Sequence, residues 1–210
     1  MEETKYDCKK WKNIMDTTQI NYSNMVKRLT RKSKISNFAL IYYSIFLIIS
    51  SLTCKYFPTM FNCKLADYFN IILSVIVLAY SLINDNAKYS IRIANIENSL
   101  NQIKNIKREL HDGNLKKNIN KYIEITDKTE RRDDVDFYIT VKELERKYKK
   151  SEKNTEEENN KIYEQKKVVD DYLSEINTIY QIFKILLEFS WDLILFLIPI
   201  AVFFACIIYR

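Results

Sequence analysis

The chain has 210 residues, with 33 Lys+Arg against 27 Asp+Glu, one Gly, two Pro, one His and four Cys. One glycine cannot build a Gly-rich phosphate loop or a dinucleotide fingerprint, which need two or three at fixed spacing, and so few turn-formers favour long helices over a β-sandwich. With His111 alone and no CxxC spacing among Cys8, Cys54, Cys63 and Cys206, the chain is expected to be all-α, with no metal, no cofactor and no catalytic constellation.

Residues 1–34 form a basic amphipathic helix by pattern. Trp11, Met15, Tyr22, Met25 and Leu29 recur at helical spacing, with Thr18 filling the gap. The seam is narrow, so packing on other helices is expected rather than a place on the membrane surface. From Ile35 to Cys54 no residue is charged, and at ~1.5 Å per residue this run matches the ~30 Å hydrocarbon core of a bilayer. A second uncharged run, Tyr68 to Asn84, follows Asp67, which is placed to cap it. Residues 35–84 therefore read as a transmembrane hairpin, with spans 35–54 and 68–84. Within them Ser44 and Ser51 share one face with Asn37, and Asn70, Ser74, Ser81 and Asn84 share another. Small polar groups there either hydrogen-bond between helices or line a water-filled path once several copies assemble. No Asp, Glu, Lys, Arg or His lies inside a span, which argues against a proton relay or a voltage sensor.

The basic residues Lys27, Arg28, Arg31, Lys32 and Lys34 precede the first span, and Lys88, Arg92 and Lys104 follow the second. The loop between them holds only Lys55 and Lys64, so both hairpin ends are expected in the cytoplasm. No apolar core with a small-residue cleavage site precedes Ile35, and the first span is expected to act as its own membrane signal. Cys54, Cys63 and Cys206 then approach the outer face. A Cys54–Cys63 disulfide is one reading there, and the favoured expectation is a pair of unbonded, small apolar residues.

Residues 85–190 read as a cytosolic helical bundle or coiled coil. The helix of the second span is expected to continue, with Ile93, Ile96, Leu100, Ile103 and Leu110 as a packing seam that Lys107 interrupts. It should end at Gly113 in the left-handed C′ position, with His111 as a last-turn residue. A short helix to about Thr126 and a polar connection, Asp127 to Asp136, come next. A further helix from about Asp134 carries Phe137, Val141, Leu144 and Tyr148 on one face. The acidic run Glu156-Glu157-Glu158 reads as a solvated charge run, since adjacent helical residues do not converge on one ion. The last cytosolic helix carries Tyr172, Ile176, Ile179 and Phe183 as its seam and runs into a third apolar stretch. Residues 191–210 are read as a C-terminal transmembrane helix in which Pro199 is tolerated.

The mean hydropathy of -0.27 is thus three apolar spans diluted by a charged region. The net +6 sits mostly in residues 1–34, which hold nine basic and four acidic residues. That distribution fits membrane orientation and lipid contact, and gives no nucleic-acid footprint.

The basic entry MVKRLTRKSKISNFALIYYSIFLIISSL (25–52), the segment SVIVLAYSLINDNAKYSIRIANIENSLNQI (74–103) and the region KYIEITDKTERRDDVDFYI (121–139) resemble the SLATT family, two-transmembrane effectors of bacterial conflict and anti-phage systems. The resemblance implies a membrane effector that forms a homo-oligomer and permeabilises the inner membrane when a partner sensor signals infection. Two features depart from the family pattern. Glu130-Arg131-Arg132 replaces a Glu-Asn-His-like turn ahead of the pair Asp136-Phe137, and a third span exceeds the family's two. The competing expectation is a non-catalytic membrane-anchored scaffold that binds a partner protein through its cytosolic helices.

Overall fold

The computed structural model describes residues 8–151 and 178–209, with the side chains of 148–151 left aside. Tyr148, Tyr172, Ile176 and the acidic run at 156–158 lie outside what is described. The elements are α1 (Cys8–Tyr56), α2 (Cys63–Asn86), α3 (Tyr89–Glu109), a 3-10 turn (Asp112–Asn114), α4 (Leu115–Lys128), α5 (Asp134–Ser151) and α6 (Thr178–Ile208), with no strand among the described residues. An all-α membrane-type architecture is what the composition predicted. Helices α1, α2 and α6 each hold a segment long and apolar enough to cross a membrane. The chain divides into two compact units, one from residues up to Leu29 with Ile91–Ile185, the other from Thr30–Ser90 with Leu186 onward.

The first unit has an ordinary apolar core. Met15, Tyr22, Met25 and Leu29 of α1 are buried together with Ile96, Ile103 and Ile106 of α3, Ile119 and Tyr122 of α4, and Val135, Tyr138 and Val141 of α5. The α1 seam therefore packs against other helices, as its narrowness implied. Burying each such side chain contributes about 1.5–3 kcal/mol. Thr18, the polar member of the seam, bonds the Tyr122 hydroxyl at 2.7 Å, and the Trp11 and Tyr122 rings meet edge to face. Lys107, the odd residue of the α3 seam, forms an ion pair with Asp16.

The second unit is assembled differently. Tyr43, Phe46 and Leu73 are buried at its centre, and Phe61, Ala66 and Cys206 near one end, with Phe203 packed against both groups. Outside this thin core the surface is apolar: Ile41, Ile48, Ile71, Leu78, Leu197 and Phe204 are all exposed. Pro199 lacks an N–H, so the Leu195 carbonyl four residues earlier loses its helical donor. The Tyr43 hydroxyl donates to that carbonyl at 2.7 Å, and the Tyr42 hydroxyl to the neighbouring Phe196 carbonyl at 3.1 Å. Two adjacent tyrosines of α1 thus replace the backbone bonding that the proline disturbs.

Four local expectations are corrected. Helix α2 starts at Cys63, because Asn62 caps it by accepting from the Leu65 N–H at 3.1 Å, and Asp67 lies exposed inside the helix. Asn62 also donates through its own N–H to the Cys206 carbonyl at 2.9 Å and through Nδ2 to the Tyr209 carbonyl at 2.7 Å, tying the start of α2 to the end of α6. The helix of the second span does not continue unbroken: it stops at Asn86, and Lys88 turns with φ 46° before α3 begins. Gly113 does not take a left-handed conformation. The Asn114 side chain does the capping there, donating to the Glu109 carbonyl at 2.8 Å and accepting from the His111 N–H at 3.0 Å. Finally, Cys54 and Cys63 are bonded to each other, with Cα atoms 5.3 Å apart, closing the turn between α1 and α2.

The Tyr43–Leu195 bond makes a specific forecast. Tyr43→Phe keeps the ring and strands the carbonyl, which should cost about 1 kcal/mol of stability in detergent. In a Pro199→Ala background residue 199 regains its N–H, so the same Tyr43→Phe change should cost much less. A thermal-denaturation double-mutant cycle measures the difference.

Candidate functional site: an ion-paired helix cap

Helix α5 begins in a cluster of opposite charges. Asp133 precedes it and accepts from the Val135 N–H at 3.4 Å, while Asp136, in the first turn, accepts from the Asp133 N–H at 3.1 Å. Two carboxylates therefore satisfy backbone donors in the reciprocal manner of a capping box, at the helix end that favours negative charge. Asp136 is fully buried and is held by a two-point bond from Arg28 of α1: Nε to Oδ1 at 2.8 Å and Nη2 to Oδ2 at 2.9 Å. Planar guanidinium and carboxylate groups match this geometry, which makes such pairs both strong and directional. Thr140 extends the network, donating to the Asp136 carbonyl at 2.8 Å and accepting from Asn24 of α1 at 3.2 Å.

Asp133 is shared. Its Oδ1 accepts from Lys184 of α6 at 3.0 Å, and its Oδ2 lies 3.7 Å from Arg28 Nη1. One helix start thus holds residues of both α1 and α6. Just upstream, Glu130 accepts from Arg92 of α3 through both carboxylate oxygens, with Nε to Oε2 at 2.8 Å, and Arg132 stacks its guanidinium 3.7 Å from the Phe137 ring centre. Arg131 and Arg132 stand at the departure from the family's turn. In this chain Arg132 covers the aromatic residue of the Asp-Phe pair. Among the described residues no group of three or more His, Cys, Asp or Glu side chains is arranged to hold a metal ion. The arrangement is mechanical in chemistry: it joins helices.

The polar residues singled out from sequence fare unevenly. Asn84 donates to Asn37 at 3.0 Å, joining α2 to α1. Ser44, Ser51 and Ser74 are exposed and return their hydroxyls to carbonyls of their own helices, those of Leu40, Leu47 and Ile71. Ser81 is exposed too, and Asn70 is half-buried. In the α3 seam Ile96, Ile103 and Leu110 are buried, and Ile93 and Leu100 are half-buried. Ile179 and Phe183 are 81% and 61% exposed, so among the described residues they form no packing seam; the buried residue of that turn is Gln181. The reading of apolar periodicity missed Arg28, Asp133 and Asp136. The signal that could have found them is the Asp-x-x-Asp spacing directly before an apolar helical pattern.

Removing one partner of a buried ion pair leaves the other charge uncompensated. Arg28→Ala should therefore cost about 3–5 kcal/mol, while Arg28→Met combined with Asp136→Leu should cost much less. Chemical denaturation of the purified protein distinguishes the two.

The pair of carboxyls beside it titrates in a defined direction. The Arg92 hydrogen bond holds Glu130 below the usual carboxylate range. Burial alone would raise Asp133, but the Lys184 hydrogen bond, the Val135 N–H and the Arg28 charge outweigh it and hold it low. A carboxyl that is more acidic in the folded chain stabilises it fully above the unfolded value, near pH 4, and loses that contribution as pH falls through the folded value. The thermal midpoint should accordingly fall below about pH 4, and the fall should be shallower in Glu130→Gln.

No curated protein and no solved structure matches the chain. A family model does: that of the SMODS and SLOG-associating 2TM effector domain family 5, over residues 6–205. The matched stretch contains the ion-paired residues Arg28, Arg92, Glu130 and Asp136, all of α1 and α2, and most of α6. With three helices of membrane-crossing length among the described residues where the family's description counts two, the chain belongs to the SMODS and SLOG-associating 2TM effector domain family 5 and is a membrane effector of that conflict-system type.

Proposed function

We propose that this effector oligomerises in the bacterial inner membrane and permeabilises it, as an anti-phage response, when a partner sensor or signal acts on its cytoplasmic part. In this reading the N-terminus and residues 85–190 are cytoplasmic, the turn closed by Cys54 and Cys63 faces outward, and residues 193–209 form the third span. The partners are the lipid bilayer, further copies of the chain and the signalling protein, with no nucleic acid and no catalytic step.

The observation that carries the reading is the placement of Ser44, Ser51, Ser74 and Ser81. All four stand exposed among apolar side chains, and folding of one chain uses none of the first three hydroxyls between helices. Facing lipid, such groups gain nothing; facing water or a neighbouring copy, their free lone pairs are satisfied. The α5 cap supplies a route for the trigger, since a partner that rearranged Asp133 or Asp136 would release Arg28 and Lys184 from one anchor.

Inducible expression should collapse the membrane potential and stop growth, and Leu at positions 44, 51, 74 and 81 should relieve both. A potential-sensitive dye reports the first and culture density the second. Growth arrest with an intact potential would overturn permeabilisation.

A further inference from the structure

Helices α3 and α4 enclose an open groove of about 740 Å³ whose lining is unusual for so charged a chain. Along α3 it is an amide stripe, Asn95, Asn98, Gln102 and Asn105, spaced three, four and three. Ile96, Ile106 and Ile125 line it as well. Its charged residues are balanced: Arg92, Lys121 and Lys128 against Glu109, Glu124 and Glu130. Two of these pairs are closed within the chain, Arg92 with Glu130 and Lys128 with Glu124. Among the described residues, no ion pair engages Lys121 or Glu109.

We propose that this groove is where a second copy of the chain docks, across a two-fold axis that sets Lys121 of each copy against Glu109 of the other. The inference rests on the reading that the effector works as an oligomer, and it assigns the contact surface. In a two-fold interface the same patch meets itself, so every cation must find its anion on that patch. A surface built for an anionic or a cationic ligand would carry an excess of one sign, and this groove carries none. Amides at alternating three- and four-residue spacing occupy the positions of a helix-pairing seam. There they fix register at some cost in stability, which suits an association made on demand. Ile96 and Ile106 are already buried in the core beneath the groove, and of the apolar lining only half-buried Ile125 has surface left to cover.

Charge reversal tests the geometry in the full-length protein in detergent, by sedimentation. Lys121→Glu places two Glu–Glu contacts in the interface and Glu109→Lys places two Lys–Lys contacts, so each variant alone should associate at least tenfold more weakly than the wild type. Mixing the two variants restores both opposite-charge contacts, as does the double swap in one chain, and association should return in each case. Recovery on mixing also shows that both variants are folded. Wild-type association in either single variant, or failure of the mixture to recover, overturns the groove as the contact. If the wild-type protein is itself monomeric in detergent and in lipid nanodiscs, the oligomeric effector reading falls with it.

Discussion

A carboxylate removed from water must be given a cation and enough hydrogen-bond donors, or it will not stay ionised or buried. Asp136 is fully buried, and the structure around it is arranged to meet that requirement: Arg28 takes both oxygens, and the Asp133 N–H takes one of them again. Because Arg28 comes from α1 and the donor N–H from the start of α5, meeting it fixes the register of one helix against the other. Asp133, half-exposed at the same cap, pairs with Lys184 of α6. Buried ion pairs add little net stability over apolar packing of equal volume, but they tolerate few alternative arrangements. The cap is therefore best understood as a device that specifies geometry around the core supplied by Met15, Met25, Leu29, Ile96 and Ile103.

In the second unit the same physical demand is met by neutral groups. A proline in an apolar helix frees a carbonyl where water does not reach, and the chain places two tyrosine hydroxyls against α6 at that level. Asn62 does similar work at the end of α6, bonding two of its last carbonyls while capping α2. The apolar part of helix α6 is thus held in part through its backbone, with Phe203 and Cys206 among the side chains packed inward. Most of its other side chains are left outward and apolar, which suits a surface whose solvent is lipid.

How much of this was legible depends on what each feature is made of. The three apolar segments, the α1 seam and the start of α5 follow from hydrophobic periodicity and charge-free length, which sequence displays directly. The Tyr43–Leu195 bond does not, because Pro199 announces an orphan carbonyl without saying which distant donor will serve it. Asp67 looked like a cap because acidic residues suit helix starts, yet Asn62 had the better position once the chain turned after Tyr56. Gly113 looked like a terminator because it is the only glycine, yet Asn114 could satisfy the last carbonyl with its own amide. Ile179 and Phe183 keep helical spacing but stay exposed among the described residues, since periodicity marks an apolar face without naming what covers it. Family resemblance pointed to the Asp136-Phe137 pair, and only three-dimensional structure joined it to Arg28, more than a hundred residues away in sequence.

The pairing of Arg31 and Lys32 with Glu188, at 3.3 and 3.1 Å, separates two moments in the life of the chain. The basic residues that precede the first span lie 156 or more positions upstream of the acid that neutralises them. Chains emerge from the ribosome N-terminus first, so the first span is committed to the bilayer while Glu188 has yet to be synthesised, and Arg31 and Lys32 act then as bare charges that are hard to translocate. When α6 arrives, the same two residues become its docking point. In the proposed orientation a single cluster serves first as a topological signal and later as a joint, and an acidic substitution there would be felt twice: at insertion, and again at the closing of the helical unit.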